Sequence, residues 1–482
     1  MNYGIIAKVI GSLLIFEAVM FLPAFMAGVY YDETSSLVFL GVMLITLVVG
    51  GMLRRFTHSS RDIRAKEALI IVAGGWLAVS AFGALPFYLS GSIPSYMDAF
   101  FETVSGLTTT GATILTDIES LDKGILFWRS FTHWLGGMGI LVLTLAVLPA
   151  LGVGGFQIFK AETPGPVADK LAPKMKNTAA ILYTAYFGIT ALETILLMFG
   201  GLSLYDALVH TFGTVGTGGF STLNDSIGGY SSAYVQWVIA IFMVASGVNF
   251  SLYYAAYRKR LSDVFYNEEL RFYLFIVFTA TLLVFFDLQW VFHGSVFTTL
   301  RHSFFQVASI MTTTGYATVD YEQWPLFSQS VLFFLMFVGG CAGSTGGSIK
   351  VIRLLVLLKL VKREIMHILH PRAMVPVKIH KRLLEADVIA SVTSFYVLYL
   401  FIMAGSTMLL TLENIDIISA FSAVAATLGN IGPGFGFVGP TQNYAGFSMP
   451  AKGLMSVLML MGRLELFTVF ILMTPDFWRE RA

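Results

Sequence analysis

Asp98–Gly111 reads DAFFETVSGLTTTG, and three later stretches of the chain align with these fourteen residues without a gap. The later copies are DALVHTFGTVGTGG at Asp206–Gly219, HSFFQVASIMTTTG at His302–Gly315 and SAFSAVAATLGNIG at Ser419–Gly432. Each copy ends on a glycine within an otherwise apolar chain. Four short helices that end in glycine turns could bring their backbone carbonyls together in a fourfold ring. Backbone oxygens in such a ring can replace the water shell of a monovalent cation.

The composition is that of an integral membrane protein. Of the 482 residues, 56% are hydrophobic and only 12% are charged, which leaves too few polar groups to cover a water-soluble globule of this size. The single cysteine, Cys341, excludes an intramolecular disulfide and any metal site built from several cysteines. About ten apolar runs are long enough to span a bilayer. They lie near residues 9–29, 36–53, 68–90, 125–149, 179–200, 233–257, 272–292, 328–360, 386–411 and 453–475.

The positive charges are distributed unevenly along the chain. Most of the 30 Lys and Arg residues fall near the termini and in segments 54–66, 160–176, 258–271 and 350–382. Because cytoplasmic loops carry an excess of Lys and Arg, this pattern predicts cytoplasmic termini and four repeats on the outer side. Acids in the predicted external loops would either concentrate cations at the mouth or simply keep the loops solvated. These acids are Asp32, Glu33, Asp117, Glu119, Asp122, Asp225, Asp320 and Glu322.

Each repeat lies between two candidate spanning segments. The chain is therefore predicted to be an all-α membrane protein, with an N-terminal two-helix hairpin and four pore units of helix, re-entrant segment and helix around a central pore. The predicted boundaries are 1–66 for the hairpin and 67–177, 178–270, 271–384 and 385–482 for the pore units. The third unit also contains the predicted gating loop.

The re-entrant segments carry predicted helix starts at a common position. Sixteen residues before the final glycines stand four good N-caps, Ser95, Ser203, Thr299 and Asp416. A helix from the cap to the glycine turn would have about twelve residues and a length of about 18 Å, so it would cross only part of the membrane. Its C-terminal carbonyls and negative dipole end would point at the membrane centre and favour a cation there. Amphipathic helices in the outer loops are the alternative interpretation.

The turns after these helices offer neutral oxygens only. Hydroxyls and carbonyls without an ionised ligand suit a large monovalent ion that must also leave, whereas a carboxylate cage would suit calcium. A closing glycine accepts backbone angles that other residues resist, which lets successive carbonyls face one axis. The sixteen candidate residues are Thr108, Thr109, Thr110, Gly111, Gly216, Thr217, Gly218, Gly219, Thr312, Thr313, Thr314, Gly315, Gly429, Asn430, Ile431 and Gly432.

The four turns, TTTGAT, GTGGFST, TTTGYAT and GNIGPGFG, resemble the filter loops of the TrkH/TrkG branch of the Trk/Ktr/HKT superfamily, and the resemblance covers essentially the whole chain. It implies potassium uptake across the bacterial inner membrane by a homodimer. It also implies a cytosolic TrkA-type ring that binds nucleotides and controls gating, with the potassium ion and no organic cofactor on this chain. Gly111 stands where relatives that favour sodium have serine, which favours potassium. The departure GNIG at the fourth turn leaves the stringency against sodium open.

The run near 328–360 is interrupted by a glycine-rich segment, Gly339–Ser348, with the sequence GGCAGSTGGS. Five glycines and three hydroxyl residues should break the helix, and the freed backbone groups must then be satisfied by protein or pore water. By resemblance this is the family's intramembrane loop, which blocks the pore below the filter. The predicted gate residues in it are Gly343, Ser344, Thr345, Gly346 and Gly347. The alternative is close helix packing through small-xxx-small spacing.

Arg463 is a cation inside the last apolar run. An unpaired charge facing lipid is costly, so Arg463 should face the pore and hinder cation passage beneath the filter, or form a structural ion pair. By resemblance it is the last predicted gate residue. The basic stretch Lys350–Arg382 is predicted to receive the TrkA-type ring, although positive-inside topology explains the same charges.

Three classes of function remain to be compared. The first is a gated, channel-like potassium pathway, and its variant is a less selective potassium and sodium transporter. A proton- or sodium-coupled symporter would require a titratable relay at depth, for which Glu17, Glu193, Asp287 and Glu465 are the candidates. An enzyme is not expected, because the histidines show no HExxH spacing and no nucleophile pattern recurs. Neither is a nucleic-acid partner expected.

Overall fold

The computed structural model describes residues 1–55, 63–139, 175–380 and 382–479, with only the backbone for 175–179 and 382. Nearly all of the regular structure is helical. The helices are α1 (Tyr3–Met20), α2 (Leu22–Tyr30), α3 (Ser35–Arg55), α4 (Ala65–Gly83), α5 (Leu85–Leu89), α6 (Tyr96–Leu107), α7 (Lys123–Gly137), α8 (Met175–Phe199), α9 (Leu204–Val215), α10 (Ala233–Ser246), α11 (Phe250–Tyr257), α12 (Leu261–Phe265), α13 (Glu268–Phe292), α14 (Val296–Met311), α15 (Leu326–Leu335), α16 (Val351–Leu369), α17 (Ala386–Leu410), α18 (Ile417–Leu428), α19 (Met449–Leu464), α20 (Leu466–Leu472) and α21 (Pro475–Trp478).

Short irregular elements complete the described chain. Four 3₁₀ turns cover Ser226–Gly229, Tyr321–Gln323, Thr411–Glu413 and Gly436–Val438. Two antiparallel strands of two residues each, β1 (Lys378–Ile379) and β2 (Arg382–Leu383), form a small hairpin. The basic residues Arg61 and Arg481, and residues 160–174 of another predicted cytoplasmic loop, lie outside the described residues.

Six of the predicted apolar runs are helices long enough to cross a membrane, and a seventh is a bent pair. The six are Tyr3–Tyr30, Ser35–Arg55, Ala65–Leu89, Ala180–Phe199, Glu268–Phe292 and Ala386–Glu413, in which neighbouring helices are sometimes merged. In the bent pair, α10 and α11 meet at 93°. Many large apolar side chains on these helices are exposed, for example Leu37 at 72% and Phe401 at 73%. Such broad apolar surface requires lipid rather than water, which confirms the predicted all-α, multi-pass membrane protein.

The three remaining runs are not uninterrupted helices. The 328–360 run consists of the end of α15 and the start of α16, with the glycine-rich segment Gly339–Ser348 between them in non-helical conformation. The 453–475 run breaks at Glu465, whose φ of 67° cannot belong to a right-handed helix. The 125–149 run is helical up to Gly137, and its part beyond residue 139 lies outside the described residues.

The four re-entrant helices, called here the pore helices, are α6, α9, α14 and α18. Three of them start at the predicted caps, where Ser95, Ser203 and Asp416 accept bonds from backbone N–H groups three residues later. The predicted cap at Thr299 is wrong, because α14 starts one turn earlier, after Ser295. Here the preceding helix ends in a left-handed residue, His293, followed by Gly294, so the new helix can begin at once. All four pore helices end in the buried centre of the molecule, at Leu107, Val215, Met311 and Leu428.

Candidate cation filter and the segment beneath it

Filter segments 1 to 4 are defined as residues 108–111, 216–219, 312–315 and 429–432. Their second residues all have left-handed backbone angles, with φ of 56° at Thr109, 56° at Thr217, 58° at Thr313 and 52° at Asn430. Each third residue donates its N–H to the carbonyl five residues earlier, as Thr110 does to Ser105 at 2.8 Å. This is the Schellman ending of a helix, formed four times. The four segments therefore leave their pore helices in the same direction.

The four closing glycines form a closed ring of contacts. Their φ values are +79° at Gly111, +79° at Gly219, +81° at Gly315 and +94° at Gly432, which only glycine adopts without strain. A Cβ on any of them would come within 3.0 Å of the carbonyl oxygen of the third residue in the next segment. The contacts are Gly111 with Gly218, Gly219 with Thr314, Gly315 with Ile431 and Gly432 with Thr110. Because the fourth contact returns to the first segment, the four segments encircle one axis.

The ring presents hydroxyl and carbonyl oxygens without an ionised group of its own. Thr108 and Thr110 share a hydroxyl hydrogen bond of 2.7 Å, and Thr312 and Thr314 share the equivalent bond of 2.8 Å. In the fourth segment, Asn430 donates its side-chain amide to the Thr110 hydroxyl at 3.0 Å. Within residues 1–55, 63–139, 175–380 and 382–479, no group of three or more His, Cys, Asp or Glu residues could hold a metal ion. The chemistry of the ring fits a weakly held monovalent cation.

A cavity of about 400 Å³ opens above the ring, and all four closing glycines line it. Its wall also contains Asp225 and Asp320, two of the acids that the sequence predicts at the mouth, together with the amides of Asn224 and Asn443. One cation, Arg129, lines the same cavity. The cavity leads from the loops that follow the filter segments to the ring itself.

The glycine-rich segment Gly339–Ser348 lies against filter segments 3 and 4. Gly347 donates its N–H to the hydroxyl of Thr313 at 2.7 Å, and Ser348 donates its N–H to the carbonyl of Gly429 at 2.9 Å. On the other side, Cys341 donates to the carbonyl of Gly247 at 2.9 Å, in the bend between α10 and α11. The segment thus connects that bend to the side of the ring at which the pore helices end.

Arg463 contacts the filter, the glycine-rich segment and α7 at once. Its guanidinium donates to the Thr109 hydroxyl at 3.2 Å and to the Thr345 carbonyl at 2.8 Å. The other terminal nitrogen donates to the carbonyls of Gly136 and Gly137, each at 2.5 Å. These four acceptors are neutral oxygens. The carboxylate of Glu465, two residues along the chain, pairs with Arg353 of α16.

A second cation in this region is Lys350, which the sequence analysis names only as the first residue of the predicted docking stretch and not as a gate residue. Its ammonium is buried and donates to the carbonyl of Gly346, inside the predicted gate. A cavity of about 20 Å³ lies beside it and is lined also by Arg353, Arg463 and Glu465. The position of Lys350 directly after the glycine-rich break of an apolar run could have predicted this role, because a charge at that depth needs a partner.

Three residues behind the filter were also missed as a group. Glu102 of α6 pairs with Arg129 of α7, and His133, also on α7, lies against Gly218 of segment 2. Of the acids proposed for a proton relay, Asp287 accepts bonds from Ser328 and Glu465 pairs with Arg353. Glu17 and Glu193 are fully buried on α1 and α8, and neither lies in a filter segment.

Known proteins share this architecture over the whole chain. The chain is 40% identical to the Trk system potassium uptake protein TrkH of Salmonella typhimurium over 487 residues, covering 100% of both chains. It is 35% identical to the Trk system potassium uptake protein TrkG of Escherichia coli K12, covering 99% of both. Among solved structures, the potassium transporter TrkH from Vibrio parahaemolyticus matches with a TM-score of 0.89 and 35% identity, over 99% of this chain and 100% of the other.

The family model described as "TrkH: Cation transport protein" matches residues 34–479, which includes all four filter segments, the glycine-rich segment and Arg463. With full-length relatives of at least 35% identity and the ring of glycine turns in the described chain, this protein belongs to the TrkH family of cation transport proteins.

Proposed function

We propose that this chain takes up potassium through a gated, channel-like pore in the bacterial inner membrane. The closed ring formed by Gly111, Gly219, Gly315 and Gly432 carries the proposal, because it brings neutral backbone oxygens of all four pore units to one axis. The relatives named above as potassium uptake proteins support the choice of ion. The sixteen residues of filter segments 1 to 4 would hold the potassium ion as it passes.

The glycine-rich segment would be the gate, and Arg463 would hold it in the closed position. Gly343–Gly347 lies against the ring, and its bonds to Thr313 and Arg463 hold it there. A guanidinium beside the Thr109 hydroxyl would also repel a cation that leaves the filter. Opening would require the segment to exchange these bonds for others, since its polar groups must stay satisfied at this depth.

Regulation would come from the cytoplasmic side. In the proposed orientation both termini face the cytoplasm, and so does the stretch Lys350–Arg382 beyond its buried residues Lys350 and Arg353. A TrkA-type ring would bind there and use nucleotide to move α16 and the attached gate. The chain would act as a homodimer. A pull-down with the purified chain and its TrkA-type partner tests the docking; a chain that ignores the partner at low salt would overturn it.

A coupled symporter is the second candidate function. The observation in its favour is that Glu17 and Glu193 are fully buried acids within apolar helices, a setting in which ionisable residues are commonly functional. Both would have to exchange protons during transport. Conduction is preferred, because neither residue belongs to the repeated filter.

Flux into proteoliposomes separates these functions. The purified chain would be reconstituted, and uptake of potassium, rubidium and sodium would be compared with and without a pH gradient and a sodium gradient. The proposed pathway predicts potassium uptake that follows the potassium gradient and membrane potential alone. Uphill potassium uptake driven by a proton or sodium gradient would establish the symporter instead, and equal sodium and potassium uptake would establish the less selective transporter.

A further inference from the structure

A buried ion pair lies behind the junction of filter segments 1 and 2. Arg129 of α7 donates from Nε to the carboxylate of Glu102, which lies on the first pore helix, at 2.7 Å. The two side chains are 2% and 0% exposed. Two charges removed from water at this depth are costly unless further hydrogen bonds compensate them. The remaining contacts of the pair are therefore informative.

Those contacts go to the residues that follow the two filter segments. The Glu102 carboxylate accepts a bond from the Thr113 hydroxyl at 2.8 Å and another from the Ile114 N–H at 2.9 Å. The Arg129 guanidinium donates to the Ser221 carbonyl at 3.1 Å and lies 3.6 Å from the ring centroid of Phe220. The ion pair thus ties the exit of segment 1 and the exit of segment 2 to the same pore helix.

His133 extends this support by one helical turn of α7. Its Nδ1 lies 2.8 Å from the Gly106 carbonyl, and its Nε2 accepts the N–H of Phe220 at 3.2 Å. This pattern requires the neutral imidazole with its proton on Nδ1. A Cβ on Gly218 would collide with the imidazole ring, so segment 2 rests directly against it. Arg129 and His133 therefore hold two adjacent filter segments from one helix.

The other units are supported differently. The position of Glu102 in the repeat is occupied by His210, Gln306 and Ala423 in the later copies. His210 reaches the Ser221 hydroxyl at 3.1 Å, whereas the fourth unit uses a hydroxyl, Ser422, which accepts the Phe435 N–H at 2.7 Å. Among the pore helices of the described chain, the first is the one whose charged residue forms an ion pair that contacts the residues following two filter segments.

We infer that Glu102 and Arg129 are positioning residues that set the spacing between filter segments 1 and 2, and through it the preference among monovalent cations. This inference rests on the proposed function and deepens it. Arg129 also lines the outer cavity, so the carboxylate has a second effect. It compensates a positive charge that would otherwise repel cations from the mouth.

The test compares Glu102→Gln, Arg129→Gln and the double variant in proteoliposomes. The measurement is the ratio of potassium to sodium uptake, together with total cation uptake. Both single variants should lower the preference for potassium over sodium about tenfold, because each leaves one member of the ion pair without its partner. Total uptake should move in opposite directions, falling in Glu102→Gln, which leaves a bare cation at the cavity, and rising in Arg129→Gln, which leaves a bare anion. The double variant should recover part of the lost preference, since no unpaired charge remains.

The ion pair between Asp98 and Lys452 is the matched control. It has the same 2.7 Å distance and joins the outer end of the same pore helix to α19, away from the filter exits. Asp98→Asn and Lys452→Gln should lower the melting temperature in detergent without changing the uptake ratio. The inference is overturned if Glu102→Gln and Arg129→Gln also lower only the melting temperature. Absence of potassium uptake by the wild-type chain reconstituted with its TrkA-type partner and nucleotide would instead remove the proposed function.

Discussion

The four filter segments and the glycine-rich segment beneath them use the same residue types, glycines and small hydroxyl residues, yet they are held in opposite ways. Each filter segment is closed onto its own pore helix by backbone bonds and packs against its neighbour, and this arrangement occurs four times. The glycine-rich segment occurs once, and its bonds to separate elements include those to Gly247, Thr313, Gly429 and Arg463.

Under the proposed function, this difference would separate a fixed site from a movable one. A ring that selects among ions needs a constant radius, and repetition provides it, because displacing one segment disturbs two neighbours. A gate needs two arrangements of similar free energy, which scattered single bonds permit. The comparison predicts large effects on ion preference at the ring and large effects on basal flux at the glycine-rich segment.

The largest effect is expected from Gly315→Ser. A Cβ there would collide with the Ile431 carbonyl and lie 2.7 Å from Pro433 Cδ, and the backbone has φ +81°. We expect loss of potassium uptake, or a fall of at least about tenfold in its preference over sodium. Gly405→Ser is the matched control, because nothing lies within 4 Å of a Cβ on that helical glycine. Unchanged potassium preference in Gly315→Ser would contradict the filter assignment.

Deletion of Gly343–Gly347 should affect flux rather than preference. Removing these residues removes the bonds from Gly347 to Thr313 and from Arg463 to Thr345, so basal potassium uptake should rise several-fold without the partner ring. A pore that stays closed in this variant would show that the segment serves helix packing.

Arg463→Ala should raise basal uptake less than the deletion does. The substitution removes four hydrogen bonds and a positive charge beside the filter, but Lys350 still binds the Gly346 carbonyl. Arg463→Lys should lie between wild type and Arg463→Ala, because lysine keeps the charge without the planar fork of donors. Wild-type flux in Arg463→Ala would assign this residue a purely structural role.

The smallest effect concerns pH and the outer mouth. Partial burial, with Asp320 nearby, raises the pKa of Glu322 above its ordinary value of 4.5, although a bond from the Gly436 N–H opposes the shift. The folded chain therefore binds this proton more tightly than the unfolded chain. Its contribution to stability is present at low pH and is lost as pH rises through the raised pKa. Relative to wild type, Glu322→Gln should gain about one or two degrees of melting temperature as pH rises from about 4 to 7.

The repeated part of this molecule was the predictable part. Spacing alone located three of the four pore-helix caps and placed all four glycines in register, because these depend on local backbone chemistry. The cap at Thr299 was wrong, since Ser295 follows a left-handed residue and a glycine that free the helix to start earlier. The glycine-rich break at residues 339–348 was likewise visible, because glycines cannot sustain a spanning helix there.

The contacts that occur only once were not predictable from the pattern. Glu102 finds Arg129 twenty-seven residues away, and that arginine then reaches Ser221, ninety-two residues further on. No periodicity relates such positions. The sequence therefore shows only that a charge buried in the membrane needs a partner, and not which residue that partner is. The same holds for Lys350, whose acceptor is a backbone carbonyl without any side-chain signature.

The ring closes between Gly432 and Thr110, so its last contact joins filter segment 4 to filter segment 1. A nascent chain that has inserted only three pore units still lacks Ile431 and Gly432. The ring then has a gap between Thr110 and Gly315, where filter segment 4 belongs. The ring is complete only once filter segment 4 has been made. If the ring holds the ion as proposed, ribosomes that stall before that point would leave membrane-inserted fragments without a selective pore.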